Sequence, residues 1–117
     1  MAVIRISNLR LRAIIGANDW ERDHKQDLII NVRIDFDAAK SGASDDLTDT
    51  VDYKNITKKI IAEVEDSSYQ LLEKLATRLL DIVAAHEGVK AATVRVDKPH
   101  ALRFADSVSV EVEKSKE

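Results

Sequence analysis

The sequence has no cysteine, one proline and three glycines, and its aromatic residues are two Phe, two Tyr and one Trp. Without cysteine there can be no disulfide, no thiolate nucleophile and no thiolate metal site, and the redox compartment stays undetermined. The three histidines, His24, His86 and His100, are widely spaced and lack paired ligand spacing. We therefore expect neither a zinc centre nor another resident metal or cofactor.

Long hydrophobic runs are also absent. The longest apolar stretches are a few residues, whereas a membrane-spanning helix needs roughly 20, and the start of the chain shows no secretory leader. The net charge is −3 and the basic residues are scattered, which argues against a nucleic-acid partner. With 44% hydrophobic and 33% charged residues, we expect one globular domain over residues 1–117, cytoplasmic and independent of membranes.

Four segments have the period-two pattern of β-strands. The first covers about residues 2–13, with a slip in the alternation at Ser7-Asn8 that predicts a bulge. The second runs from about Gln26 to Ala38. Two more follow late in the chain, around residues 92–97 and 107–112. Their apolar positions, all expected on one face, are Ile4, Ile6, Leu9 and Leu11, then Leu28, Ile30, Val32, Ile34 and Phe36, then Ala92, Val94 and Val96, then Val108, Val110 and Val112.

The middle of the chain has helical spacing. After a polar loop from Lys40 to Asp52, a stripe of apolar residues predicts a helix capped by Asp52. A second helix is expected after Ser67 or Ser68 as its cap, with Gly88 near its C-terminal end. The predicted order is ββααββ, an α+β fold with a four-stranded antiparallel sheet and two helices on one face. The other sheet face is polar, which fits either exposure to solvent or the lining of a wet channel.

Glu73 lies at the edge of the apolar arc of the second helix, where its carboxylate can be half buried. A fixed carboxylate suits a guanidine-like ligand edge, because two parallel hydrogen bonds match its two oxygens. The alternative is an ordinary glutamate that flanks the helix.

Lys98 closes the third strand before Pro99, on the same parity as Val94 and Val96 and hence toward the covered face. A lysine with restricted solvation and cationic neighbours can have a lowered pKa and transfer protons near neutrality. The alternative is a lysine that extends to solvent from a strand end.

Two further candidates lie at loop and helix positions. Tyr53 opens the first helix, where its phenol can hold the helix to the sheet or exchange a proton. Glu21 lies in the polar loop after Gly16, and by itself this position predicts only a residue that solvates a turn.

Taken together, these segments resemble the dihydroneopterin aldolase and dihydroneopterin triphosphate epimerase family along the whole chain. The matching pieces are Ile15-Gly16, Trp20-Glu21, Gln26, Asp52-Tyr53, Leu71-Leu72-Glu73 and Asp97-Lys98-Pro99. The resemblance implies the tunnelling fold, in which ββααββ subunits form rings whose sheets join into a barrel. It also implies a homo-octamer of two stacked tetramers, with each pocket between adjacent subunits and the tyrosine supplied by a neighbour.

The resemblance further implies a dihydropterin substrate. It assigns Glu73 as the pterin anchor, beside Leu72 and Asp52, and gives Lys98, Tyr53 and Glu21 to the side chain and its protons. Zinc-dependent relatives need histidine or cysteine ligands that this sequence lacks, so the metal-free branch is implied.

Two reactions compete within the branch. Residues 8–12 and 100–107 resemble the triphosphate epimerase more than the aldolase, and this favours inversion at C2′ over release of glycolaldehyde. A triphosphate needs local positive charge, for which His100 and Arg103 are the candidates, with Arg10 or Arg12 added if the first strand lies near the pocket. A pterin- or purine-binding ring without catalysis is a third alternative, which the four matched catalytic positions disfavour.

Overall fold

The computed structural model describes residues 1–116. Its sheet is an antiparallel meander in which each strand pairs with the next along the chain. The strands are β1 (Ala2–Ala13), β2 (Gln26–Phe36), β3 (Val89–Pro99) and β4 (Ser107–Ser115), and the helices are α1 (Ala39–Ser44), α2 (Tyr53–Asp66) and α3 (Leu72–Ala84). The predicted ββααββ order is confirmed for the four strands and the two longer helices. No helix within residues 1–116 is both long and apolar enough to cross a membrane.

The predicted interruption of β1 is a bulge at Ser7-Asn8. The register with β2 shifts between Ile6 and Leu9, and Asn8 has a left-handed φ of 55°. Its backbone N–H, freed from the ladder, donates to Oδ1 of Asn31 at 2.9 Å. The bulge thus keeps the apolar residues on both sides of it on the same face of the strand.

The core lies between the helix-covered face of the sheet and the apolar stripes of α2 and α3. The predicted apolar positions of β2 and β3 are buried, and those of β1 and β4 are partly buried because these are the edge strands. Fully buried side chains of the helices include Ile56, Ile60, Val64, Leu75, Leu79 and Val83. The core therefore fixes where both long helices lie across the sheet, and with them the position of any site at the strand ends.

The loop and cap predictions were partly wrong. The expected loop from Lys40 to Asp52 contains most of α1 and a 3₁₀ turn at Leu47–Asp49. Asp52 does cap α2, because its carboxylate accepts from the backbone N–H of Asn55 at 3.0 Å. Ser67, however, ends α2, since its hydroxyl donates to the carbonyl of Val64 at 2.7 Å.

The second long helix starts later and ends earlier than the expected caps, Ser67 or Ser68 and Gly88, predicted. α3 begins at Leu72, after an extended Leu71 that makes no side-chain cap, so neither Ser67 nor Ser68 caps it. At the other end the helix is closed by Ala85. Gly88, with φ of 88°, instead forms the turn that leads into β3.

Candidate active site

The site is built around Glu21, which the sequence alone predicted to solvate a turn. It lies in a 3₁₀ turn at Asp19–Asp23, and it is only 4% exposed, the one charged or polar residue buried among those described. Its carboxylate forms an ion pair with Lys98, which is 77 residues away along the chain. The turn prediction for Glu21 was wrong because its partner is contributed by a distant strand.

Two more donors hold the Glu21 carboxylate. Nε2 of Gln26 donates to Oε2 at 2.9 Å and also to the carbonyl oxygen of Ile15 at 2.7 Å. The backbone N–H of Asn18 donates to Oε1 at 3.2 Å. Every carboxylate oxygen therefore has a partner inside the protein, so this buried charge is compensated.

These contacts keep Glu21 ionised. The hydrogen bond from Lys98 is the main cause, burial acts in the opposite direction, and the bonds from Gln26 and Asn18 add to the first effect, so the pKa of Glu21 falls to about 2. The cationic neighbours expected for Lys98 are thus replaced by an anion. Lys98 donates to the carboxylate of Glu21, and its side chain remains 12% exposed at the end of β3.

Gly16 makes room for the carboxylate. It adopts a left-handed φ of 123°, and a Cβ at this position would overlap the carboxyl group of Glu21. Two features therefore require a glycine at position 16: its backbone conformation, and the absence of a side chain where the carboxylate of Glu21 lies.

Glu73 does not have the burial expected of it. It lies in the first turn of α3, before the first fully buried residue of that helix, Leu75, and its side chain is exposed. Leu72 beside it is partly buried against the core. The loop before them contacts the Glu21 segment, since the N–H of Gly16 donates to the carbonyl of Tyr69 at 3.1 Å. Glu73 and the Glu21–Lys98 pair thus lie at the same end of the molecule.

Tyr53 and Asp52 lie at the other end. Tyr53 is 52% exposed and does not hold α2 to the sheet. The first turn of α2 contacts the segment before β3, where Nε2 of His86 lies 3.0 Å from Oδ1 of Asn55. Lys98 is nine residues beyond Val89, the start of β3, which is about 30 Å along a strand. Within one chain, therefore, the phenol and the lysine are at opposite ends of the sheet.

The positively charged groups predicted to bind phosphate do not all lie in one place. Arg10, Arg12 and His100 line one groove, together with Asp27 and Pro99 among others. Arg12 is partly engaged there, since it pairs with Asp27 at 3.1 Å. Arg103 is not part of this lining, and its guanidinium stacks 5.6 Å from the ring centre of Phe104. The groove is on the polar sheet face, at the same end as Lys98.

Gln26 and Gly16 belong to the sequence pattern that resembles the family, but the pattern by itself predicted no role for either residue. A signal for Gln26 was present, because it shares the parity of Leu28 and Ile30 and so is a polar residue on the covered face. Lys98 has the same character at the end of β3. Within residues 1–116, no group of three or more His, Asp or Glu side chains is arranged to hold a metal ion.

Comparisons with known proteins identify the family of the chain. The family described as FolB, dihydroneopterin aldolase, matches residues 4–113. The dihydroneopterin triphosphate 2′-epimerase of Escherichia coli K12 is 49% identical over 93% of this chain and 91% of its own length. The enzyme of the same name from Pseudomonas aeruginosa is 46% identical over 94% of this chain and 89% of its own length.

A solved structure extends the likeness to the fold. The crystal structure of Escherichia coli dihydroneopterin aldolase in complex with neopterin superposes with a TM-score of 0.93 at 27% identity, covering 98% of this chain and all of that one. The tunnelling-fold prediction for the subunit is thereby confirmed. The chain belongs to the dihydroneopterin aldolase (FolB) family.

Proposed function

We propose that this chain is a dihydroneopterin triphosphate 2′-epimerase, and that residues 1–117 form one pterin-enzyme domain. The observation that carries the proposal is the buried Glu21–Lys98 pair, held by Gln26 at the same end of the molecule as Glu73. The relatives named as this epimerase are 49% and 46% identical over nearly the whole chain. General acid–base catalysis requires a donor that is held within reach of the substrate, and the Lys98 ammonium, held by Glu21 at the end of β3, is such a group.

The chemistry needs no cofactor. In a 7,8-dihydropterin the C6=N5 imine accepts electrons when the C1′–C2′ bond breaks. The 2′-hydroxyl loses its proton, C2′ becomes an aldehyde, and N5 gains a proton as C1′ becomes double-bonded to C6. Re-addition to the opposite face of the aldehyde restores the bond with C2′ inverted. General acid–base help of this kind typically contributes about 10²–10⁴-fold.

We assign to these residues the roles that the family resemblance implies. Glu73, exposed in the first turn of α3, anchors the 2-amino and N3–H edge of the pterin, with Leu72 beside the ring. Lys98 and Tyr53 carry the protons, and Glu21 fixes the lysine and helps to order the side-chain hydroxyls. Since Tyr53 and Asp52 are at the far end of the sheet from Lys98, they reach the pocket from an adjacent subunit.

This shared pocket supports a ring assembly. We propose a homo-octamer of two stacked tetramers, in which the polar sheet faces line a channel. Two edge strands, β1 and β4, are available in each subunit to join neighbours. We also propose that the enzyme works in the cytoplasm, in folate or tetrahydromonapterin biosynthesis.

Retention of the phosphorylated two-carbon fragment separates the epimerase from the aldolase. Arg10, Arg12 and His100 line a groove at the Lys98 end, and charged hydrogen bonds to phosphate are among the stronger ones available. We assign phosphate binding to Arg10 and His100 first, because Arg12 already pairs with Asp27. Arg103 lies outside the lining of this groove and is the less favoured candidate.

The second candidate function is that of a dihydroneopterin aldolase, which releases 6-hydroxymethyl-7,8-dihydropterin and glycolaldehyde. It is favoured by the family match and by the 0.93 TM-score to an aldolase structure. The four proposed catalytic positions serve both reactions, so they do not separate them.

The deciding experiment supplies dihydroneopterin triphosphate and unphosphorylated dihydroneopterin separately and identifies the products. Inversion at C2′ with the triphosphate preferred supports the epimerase. Rapid release of glycolaldehyde from the unphosphorylated compound, with the triphosphate ignored, makes the protein an aldolase. Binding without turnover of either compound would instead indicate a pterin-binding ring.

A further inference from the structure

Arg22 follows the buried glutamate directly and connects two loops. Its Nη1 donates to the carbonyl oxygens of Gly16 at 2.9 Å and Tyr69 at 3.2 Å, and its Nη2 donates to the carbonyl of Ser68. Since Gly16 also donates its N–H to Tyr69, three hydrogen bonds join the two loops in the described part of the chain. Two of these three come from Arg22.

The two loops carry different halves of the proposed site. The first, residues 14–25, contains Glu21, whose carboxylate fills the space above Gly16. The second, residues 67–71, leads directly into the first turn of α3, where Leu72 and Glu73 lie. No side-chain cap fixes the start of α3, so the carbonyls of Ser68 and Tyr69 supply direct hydrogen bonds between the segment before this helix and the Glu21 segment.

We infer that Arg22 is a positioning residue that sets the spacing between the pterin anchor Glu73 and the reacting pair Glu21–Lys98. The inference rests on the proposed function. A planar guanidinium with five N–H donors can bond several carbonyls from different segments at once, which an ammonium group does poorly. If the spacing drifts, the pterin still binds at Glu73, but its side chain is misplaced against Lys98. Misplacement by about 1 Å can cost on the order of 100-fold in rate.

The test compares the full-length parent, Arg22→Ala, Arg22→Lys and the control Arg33→Ala. Arg33 is a matched arginine, because it bonds one carboxylate, that of Asp35 in β2, at 3.1 Å and has no hydrogen bond to either loop among the described residues. Turnover of dihydroneopterin triphosphate gives kcat and KM, a titration with neopterin gives pterin affinity, and thermal unfolding monitors the fold.

We expect Arg22→Ala to bind neopterin within about threefold of the parent while kcat falls by about tenfold or more. Methylguanidinium should restore part of that loss, and an equal concentration of sodium chloride should not. Arg33→Ala should keep the parent kcat.

An Arg22→Ala protein that is folded and turns over like the parent would overturn the inference. If Arg22→Ala does not fold, Arg22→Lys decides in the same way, with lowered kcat at parental neopterin affinity supporting the positioning and parental kcat rejecting it. A parent that turns over neither pterin would remove the proposed function and this inference together, whereas an active parent with an unaffected variant removes only the inference.

Discussion

Gly16 leaves open the space that the carboxylate of Glu21 occupies. The backbone at this glycine has a φ of 123°, and a Cβ there would collide with the carboxyl group. The carboxylate is thereby held between a glycine on one side and the donors Lys98 and Gln26 on the other. The position of the proposed catalytic pair, Glu21 and Lys98, thus depends on a residue that contributes no side chain.

The first prediction concerns this glycine. Gly16→Ala should lower the free energy of unfolding by about 2 kcal/mol or more, because it combines a strained φ with displacement of a buried charge. Gly42→Ala is the matched control, since nothing lies within 4 Å of its added Cβ and it is in helix α1. Chemical unfolding should show Gly42→Ala equal to the parent or slightly more stable. Equal stability of Gly16→Ala and the parent would contradict the account.

The acid stability of the protein should reflect the Glu21 pKa. Its value in the folded chain is lowered from 4.5 to about 2, so ionised Glu21 favours the folded state above about pH 4.5. That contribution is lost as pH falls from about 4.5 toward 2, and it amounts to roughly 1–3 kcal/mol.

The measurement is urea unfolding of the parent and Glu21→Gln at several pH values across this interval. The amide has no proton to gain, so the variant, although destabilised near neutral pH by an unpaired Lys98, should lose less stability on acidification. Parallel curves for the two proteins would show that Glu21 does not titrate with a lowered pKa.

The sequence predicts the features of the fold and the site that depend on residues close together in the chain, and it misses those that depend on residues far apart. Period-two and helical spacing depend on near neighbours, and they predicted the strands, the long helices and the bulge at Asn8. The burial of Glu21 could not be predicted in this way, because its pairing with Lys98 is made only when β3 closes over the first loop. Ser67 shows the same limit locally, since one hydroxyl can begin a helix or end one, and here it ends α2.

The proposed role of Glu73 as pterin anchor gives a third prediction. Glu73→Gln should weaken neopterin binding by about 1.5–3 kcal/mol, because it removes a charged acceptor for two parallel hydrogen bonds. Glu73 is exposed in the subunit, so the thermal midpoint should change little. Asp81→Asn is the control, an exposed carboxylate on the same helix, and it should bind neopterin normally. Unchanged affinity in Glu73→Gln would reject the anchor role.

The opposite placement of Tyr53 and Lys98 gives a fourth prediction. Tyr53→Phe and Lys98→Gln should each depress turnover, and the glutamine still offers Glu21 a hydrogen bond. If each pocket takes its tyrosine and lysine from different subunits, co-expressing the two variants should restore about a quarter of the sites by random mixing.

The control for this experiment is a chain that carries both substitutions, co-expressed with either single variant. No intact pocket can form in that mixture, so turnover should stay at the level of the single variants. Absence of recovery in hybrids shown to contain both single variants would contradict a pocket that takes its phenol and its lysine from two subunits.

The central claim is that one site breaks and remakes the C1′–C2′ bond of dihydroneopterin triphosphate without releasing the fragment. The most direct measurement is a crossover experiment, in which one substrate population is isotopically labelled in the pterin ring and another in the C2′–C3′ unit. If the fragment is never released, mass spectrometry of the C2′-inverted product should find that every molecule carries one label, either in the pterin ring or in the C2′–C3′ unit. Product that carries both labels, or neither, at the frequency of random recombination would show that the fragment escapes, and unchanged C2′ configuration would contradict the epimerase outright.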